Sequence, residues 1–482
     1  MLLFLLLTLA LQTQPSPERA PNPRIEWAEL PMKLARGQGD SVRFGYLSVP
    51  RDHANPSGSE FRIALAILRA RTPHPEPDPV VFIVGGPGLP GIEQQLRWRG
   101  ARPLDVYRSR RDVIVIDPRA HGFSEPRMCP QLRGAAPDDI EALTHCREQL
   151  SAQGVDLSLL SSFQAAHDLE YLRRALAVRQ LNLFGSSYGT RIAAEAMRQL
   201  PGSMRAVFLV GPVPPGRFRG PGDPAAAWEA LDAVIRRCDA QPACRAKYPR
   251  LRRQYRADMA PLAHLLTSRE HADIVPLLIR TIAEKDAGLL DRIRPRLMEI
   301  ARAGQGVSGT GLAYWCNDGV VDQASSRELK QRCREWIGAN FRERKTQPMR
   351  SEVPTLIVAG EFDPLTPPSY ARVLAEGLPR AQVLVIPEWG HGQPPHCIFR
   401  ISSEFFDEPG HELDTRCLST TPGVVFITRE MSSRAISHAI GQKAEGRWLL
   451  IMLSATVVLA FLAFALPLFA RKGNAAHASG AQ

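Results

Sequence analysis

The sequence predicts an α/β fold on a mostly parallel sheet, interrupted by a helical insertion. Three observations predict it. Short, uninterrupted apolar runs are bounded by turn residues, amphipathic helical patterns lie between several of them, and this alternation breaks between about residues 216 and 350. Uninterrupted apolar strands are buried on both faces, as in a parallel sheet covered by helices. Their alternation with helices selects an open α/β sheet over a sandwich or barrel. At 482 residues the chain is long enough for one large domain with an insertion, or for two domains.

Taken in order, residues 1–24 read as a signal-like apolar run and linker. "MLLFLLLTLALQTQ" is too short to span a bilayer and gives way to prolines and polar residues. Residues 25–215 read as the first part of the sheet core. They carry "RIALAIL" (62–68), "VVFIVGG" (80–86), "DVIVID" (112–117), "LNLFG" (181–185) and "RAVFLVG" (205–211). Residues 216–350 read as an inserted helical cap, with "AAAWEALDAVIRRC", "LRRQYRADMAPLAHLL" and "DIVPLLIRTIAEKD" as its helices. Residues 351–422 resume the core with "TLIVAG" (355–360) and "QVLVIP" (382–387), and 423–447 read as a polar stalk. Residues 448–470 read as one C-terminal transmembrane helix, because Leu449 to Ala470 is uncharged and long enough to span. Arg471 and Lys472 follow at once, which places the 471–482 tail in the cytoplasm and the bulk of the chain on the exterior or periplasmic side.

Composition narrows the function. Hydrophobic residues at 44% and charged residues at 23% are ordinary globular values. Lys+Arg 60 against Asp+Glu 49 leaves a net charge of +11. The arginines are scattered, no basic block is interleaved with aromatics, and no nucleic-acid motif is present, so nucleic acid is not the expected partner. The eight cysteines fit an oxidising compartment. They fall in sequence-local pairs expected to form four bridges, unless they are buried free thiols: Cys129 with Cys146, Cys238 with Cys244, Cys316 with Cys333, and Cys397 with Cys417. None has zinc-type spacing, so no metal site is expected.

Chemistry gathers where strands end, as it does in open α/β sheets. "LNLFGSSYGTRIAAEAM" (181–197) is a strand, a tight turn and a helix, the context that turns G-x-S-x-G into a nucleophile elbow. Ser187 is therefore the candidate nucleophile; Ser186 is out of register. Attack on a carbonyl creates an oxyanion that needs backbone N–H donors. Tyr188 would supply one, and Gly86 in "VGGPG" the other, unless that stretch is an ordinary Gly-Pro turn. A serine hydroxyl needs a base, and the base needs a carboxylate to fix its tautomer. Asp363 in "GEFDPLTP" and His391 in "EWGHG" supply both, in the chain order Ser, Asp, His. Glu361 and His396 are the nearest competitors. His121 in "DPRAHGFSEP" precedes the elbow and breaks that order, so this loop is read as pocket wall, with Arg119 pairing internally. The chemistry needs no metal or organic cofactor.

With those residues in view, the chain resembles the α/β-hydrolase family of proline iminopeptidases and secreted tripeptidyl aminopeptidases with a TAP-like C-terminal region. The resemblance covers about residues 40–420 and rests on "GGPG", "DPRAHGFS", "GSSYGTR", "GPVPP", the "CND" of the insertion, and "GEFDPLTP" with "GHG". Two departures stand out: Ala120 replaces the usual glycine, and a single C-terminal span is not typical of the secreted members. The resemblance implies an α/β-hydrolase fold, the triad Ser187, Asp363 and His391, and release of residues from free peptide N-termini. A buried carboxylate would hold the substrate α-ammonium, and Asp318 in "WCNDG" is the candidate, unless it caps a helix or pairs internally. An esterase or lipase-like hydrolase could use the same machinery, and a membrane-tethered, non-catalytic binding protein is the alternative from another class.

Overall fold

Apolar residues that alternate or run on in strands, and recur helically elsewhere, sort the chain into sheet and flanking helices. The computed structural model describes residues 23–440 apart from 35–41, 98–102, 130, 131, 133–138, 221, 222, 304–308, 321–326, 343–345 and 421. The N-terminal apolar run, the end of the expected stalk, the expected membrane span at 448–470 and the tail after it lie outside the described residues. Among the described residues no helix is long and apolar enough to cross a membrane. These residues form two compact units. The first takes 23–184, 192–206 and 309–342; the second takes 185–191, 207–303 and 346–440.

The first unit holds β1 (Ile25–Ala28), β2 (Val42–Pro50), β3 (Glu60–Leu68), β4 (Val80–Ile83), β5 (Val113–Ile116) and most of β6 (Leu181–Ser186), in the order β1-β2-β3-β5-β4-β6. The first four neighbours along that order pair antiparallel, and β4 pairs parallel with β5, Val80 opposite Val113. β4 and β5 are buried along their whole length, as uninterrupted apolar runs should be. β1 and β2 are not among the expected strands. Residues such as Arg43, Tyr46 and Ser48 interrupt β2, so it alternates rather than runs on. Helices α1 (Gly91–Arg97), α2 (Ile140–Ala152) and α3 (Ser162–Ala175) also belong to this unit, as does α4 (Gly189–Gln199) from Ile192 onward.

Arg119 is fully buried here and pairs internally. Its Nε and Nη2 donate to the two Asp168 carboxylate oxygens at 2.7 Å, and its Nη groups also donate to the carbonyls of Pro50 and Arg51. His53 Nε2 lies 2.7 Å from the same carboxylate. Burial pushes the Asp168 carboxyl up, but Arg119 and His53 outweigh it and hold it below the usual carboxylate range.

In the second unit β7 (Met204–Val210) from Val207 onward, β8 (Thr355–Gly360) and β9 (Ala381–Ile386) pair parallel in that order. β8 is buried throughout, whereas β9 is a sheet edge that leaves Val383 and Val385 exposed, so its apolar run is not buried on both faces. The described chain between β7 and β8 is helical. It contains α5 (Pro224–Ala240), α6 (Pro242–Lys247), α7 (Leu251–Gln254), α8 (Val275–Glu284), α9 (Leu289–Ala303), α10 (Gly309–Asn317) and α11 (Arg327–Ile337). The last two belong to the first unit. Helices α12 (Pro368–Ala375) and α13 (His396–Asp407) follow β8 and β9. Asp223 caps α5 by accepting from the Ala225 amide, with Pro224 at the first helical position.

Residues 423–440 correct the expectation of a stalk. Val424, Phe426, Ile436 and Ile440 are buried with Leu231, Leu266 and Leu278 in one core. A stalk has no reason to carry these apolar residues; a docked segment does. Four disulfides join the cysteines: Cys129–Cys146 and Cys316–Cys333 in the first unit, Cys238–Cys244 and Cys397–Cys417 in the second.

Candidate active site

The second unit brings Ser187, His391 and Asp363 together. β6 ends at Ser186 and α4 begins at Gly189, so Ser187 sits in the turn between them with φ +50°. A non-glycine residue in that region is strained and persists only where its surroundings fix it. Ser187 N–H donates to the Val210 carbonyl at 2.8 Å. Its own carbonyl accepts from the Thr190 amide at 3.0 Å and the Thr190 hydroxyl at 2.5 Å. Gly185 has no alternative here: a Cβ on it would lie 2.9 Å from the Gly189 carbonyl oxygen and the Thr190 Cα.

Asp363 follows β8 and is buried. Its Oδ1 accepts from the amides of Leu365 and Thr366, both at 2.8 Å. Its Oδ2 accepts from the Thr366 hydroxyl at 2.7 Å and lies 2.8 Å from His391 Nδ1. An ionised carboxylate only accepts, so the His391 proton sits on Nδ1 and leaves the Nε2 lone pair free to accept. Ser187 Oγ is 3.0 Å from that Nε2. Burial pushes the Asp363 carboxyl up, but the His391 charge and the hydrogen bonds pull it below its ordinary value. Burial pushes the His391 imidazole down, and the Asp363 carboxylate more than compensates, raising it above 6.5. Ser187 and His391 share a small cavity with Gly211, Trp389, Gln393 and Pro394. The arrangement can pass a proton from a hydroxyl to a correctly oriented imidazole.

Thr366 is a member of this group that the sequence reading missed. Its hydroxyl bonds Asp363 and lies 3.0 Å from His391 Nδ1. The signal was its place three residues after the aspartate in "DPLT". Glu361, the competing carboxylate, is taken elsewhere: Arg237 holds both its oxygens at 2.8–3.1 Å. His396 opens α13.

Tyr188, buried, is the residue between Ser187 and the first residue of α4. Gly86 lies in the first unit, just beyond β4, with φ +113°. In that unit His121 has both ring nitrogens engaged. Nδ1 lies 2.8 Å from the Arg119 carbonyl, and Nε2 accepts from the Gly88 amide at 2.8 Å. Burial pushes its imidazole down to about 4, so it stays neutral and ties the glycine-rich loop. Asp318 is also in the first unit, buried, and bonds to the start of α3, whose own N-cap is Ser161. Its carboxylate accepts from the Ser162 amide at 2.9 Å and the Ser162 hydroxyl at 2.6 Å, at the first residue of α3. Its neighbour Asn317 donates to the carbonyls of Leu157 and Leu160, so "CND" pins the entry to that helix.

Over 189 residues the chain is 32% identical to the serine protease Hip1 of Mycobacterium tuberculosis H37Rv, a match covering 36% of each protein. Over 194 residues it is 28% identical to the tripeptidyl aminopeptidase of Streptomyces lividans, again 36% of each. The match thus spans about a third of the length of these relatives. Among solved structures it is similar to proline iminopeptidase of Mycobacterium smegmatis, with TM-score 0.39 and 15% identity over 76% of this chain and 98% of that one. Residues 78–393 match the model of the alpha/beta hydrolase fold, and the chain belongs to that family.

Proposed function

We propose that the chain is a serine hydrolase that cleaves peptide bonds near free N-termini through an acyl-enzyme. The observation that carries this reading is the unbroken hydrogen-bonded chain from Asp363 through His391 to Ser187. Ser187 Oγ attacks the substrate carbonyl carbon as its proton passes to His391 Nε2, and the carbonyl π pair moves onto oxygen. Asp363 keeps the Nδ1 proton in place and stabilises the imidazolium. The tetrahedral adduct collapses, and the leaving amine takes the proton from Nε2. Water then gives a proton to Nε2 as it attacks the acyl carbon, and Ser187 Oγ recovers that proton on leaving. The Tyr188 amide, next after the nucleophile, is the oxyanion donor in this reading. Gly86 belongs to the other compact unit, so the reading does not depend on it.

The names of two relatives, a serine protease and a tripeptidyl aminopeptidase, support peptides as the substrates. The four disulfides and the apolar run 449–470 support an enzyme tethered on the exterior or periplasmic side. The test is product mass from short peptides offered free and N-acetylated, beside simple acyl esters. Cleavage of the free peptides, abolished by acetylation and by Ser187→Ala, is the expected result. Turnover of esters alone would make the chain an esterase.

A further inference from the structure

His391 is reached along a short loop after β9, and that loop carries a strained residue. Glu388 has φ +53°, a left-handed conformation that residues with a Cβ rarely adopt. Such a conformation is kept only where the surroundings over-determine it. Here the Glu388 carboxylate is buried, and its Oε2 accepts the backbone N–H of Val424. Arg237 Nε stands 3.9 Å from Oε1, and Arg269 Nη2 stands 3.8 Å from Oε2. The Glu388 N–H donates to Glu361 Oε2 at 2.8 Å, and Glu361 is itself gripped by Arg237. The Arg269 guanidinium also lies over the ring of Trp389, 5.8 Å from its centroid.

The segment that receives Glu388 is fixed in its turn. Gln241 donates to the Val424 carbonyl at 2.6 Å, and Tyr248 donates to the Ile427 carbonyl at 2.6 Å. Ile427 N–H donates to the Asp273 carbonyl at 3.0 Å, and Arg269 donates to the Pro422 carbonyl. Val424 and Phe426 are buried among the helices. On its other side the loop presses on backbone: a Cβ on Gly390 would lie 1.9 Å from the Leu266 carbonyl oxygen. The loop before His391 is thus held by a buried, charge-compensated carboxylate anchored on chain from beyond the hydrolase core.

We propose that Glu388 is a positioning residue for His391 and that residues 422–427 are the strap through which it acts. The inference rests on the reading of His391 as the base.

The test uses the full chain with Glu388→Gly, Glu388→Gln, Val424→Pro and the Glu388→Gly/Val424→Pro double variant, with His391→Ala as control. Glycine adopts the observed φ without strain, so Glu388→Gly removes the carboxylate without forcing the backbone. Glutamine keeps an acceptor for the Val424 amide; proline removes that amide. Steady-state kinetics on a peptide anilide are read at temperatures where circular dichroism shows each variant folded. A displacement of the base of about 1 Å costs about 100-fold. The expected result is therefore a kcat lowered about 10–100-fold in Glu388→Gly and in Val424→Pro, with KM within about 3-fold. Glu388→Gln recovers part of the loss, and the double variant is no slower than the worse single one. Folded Glu388→Gly with the parent's kcat, a loss confined to KM, or fully additive losses overturns the proposal. If Glu388→Gly does not fold, Glu388→Gln and Val424→Pro decide: parental kcat in Val424→Pro overturns it. His391→Ala with undiminished activity sinks the base reading instead, whatever the strap variants do.

Discussion

The Thr366 hydroxyl has one proton and donates it in a hydrogen bond to Asp363, which only accepts. Its lone pairs then face the Nδ1–H of His391, 3.0 Å away. Thr366→Val leaves the carboxylate one donor short and should lower kcat about tenfold, while Thr366→Ser should retain most activity. Steady-state kinetics on both variants check this; equal rates in valine and parent would contradict it. The pH dependence follows from the same group. The base must be neutral, and Asp363 raises the His391 pKa above 6.5 against the opposing effect of burial. The acidic limb of kcat/KM is therefore expected above pH 6.5, activity falling as pH drops through it. In Asp363→Asn burial alone remains, so the limb moves below 6.5 and the rate falls by orders of magnitude. A pH–rate profile of the two proteins decides. At this scale Ser187, Asp363 and His391 were legible because each chemistry-bearing residue follows an apolar run. Thr366 was not, because a threonine three residues after an aspartate is also ordinary turn chemistry. The motif around Asp318 does not reveal its partner, because Ser162, whose amide and hydroxyl its oxygens accept, lies far away in the sequence.

Elements were legible where burial is total. β4, β5 and β8 are uninterrupted and fully buried, so composition alone marks them. β2 escaped because it alternates, and β9 was misjudged because a local run does not say whether a strand lies at a sheet edge. The elbow is the element most sensitive to a single atom. Gly185→Ala places a methyl 2.9 Å from the Gly189 carbonyl and the Thr190 Cα, so β6 and α4 must part. Loss of activity with a stability cost of about 1–3 kcal/mol is expected, read from denaturant unfolding beside the kinetics. The buried ion pair between Arg119 and Asp168 sets the hold of α3 on its unit. Asp168→Asn should destabilise by about 3–5 kcal/mol, since it leaves a buried guanidinium without its partner. The sign with pH follows from the lowered Asp168 pKa. Its contribution is present above the unfolded carboxyl pKa and is lost as pH falls through the lower, folded value. Unfolding midpoints of parent and variant should therefore converge in acid.

For the whole molecule the legible part was the alternation of strand and helix with a helical interruption. What the sequence did not reveal is that 423–440 returns to pack on helices. Its apolar residues are spaced among polar ones, Thr428, Arg429 and Glu430 included, and read locally as solvent-facing. The disulfides act at this scale. Cys129–Cys146, Cys316–Cys333 and Cys397–Cys417 close loops of 17, 17 and 20 residues, against 6 for Cys238–Cys244. Loop-closure entropy gives a 15-residue loop about 3 kcal/mol, so reduction should lower Tm markedly, with the short loop contributing least. Thermal melts of single cysteine-pair deletions test that ranking. All readings of catalysis converge on one claim, that His391 activates Ser187. Peptide mass mapping after treatment with a fluorophosphonate tests it most directly. The adduct is expected on the peptide that contains Ser187 in the parent and should be lost in His391→Ala. An adduct on another serine, or undiminished labelling of Ser187 in the His391→Ala protein, would contradict it.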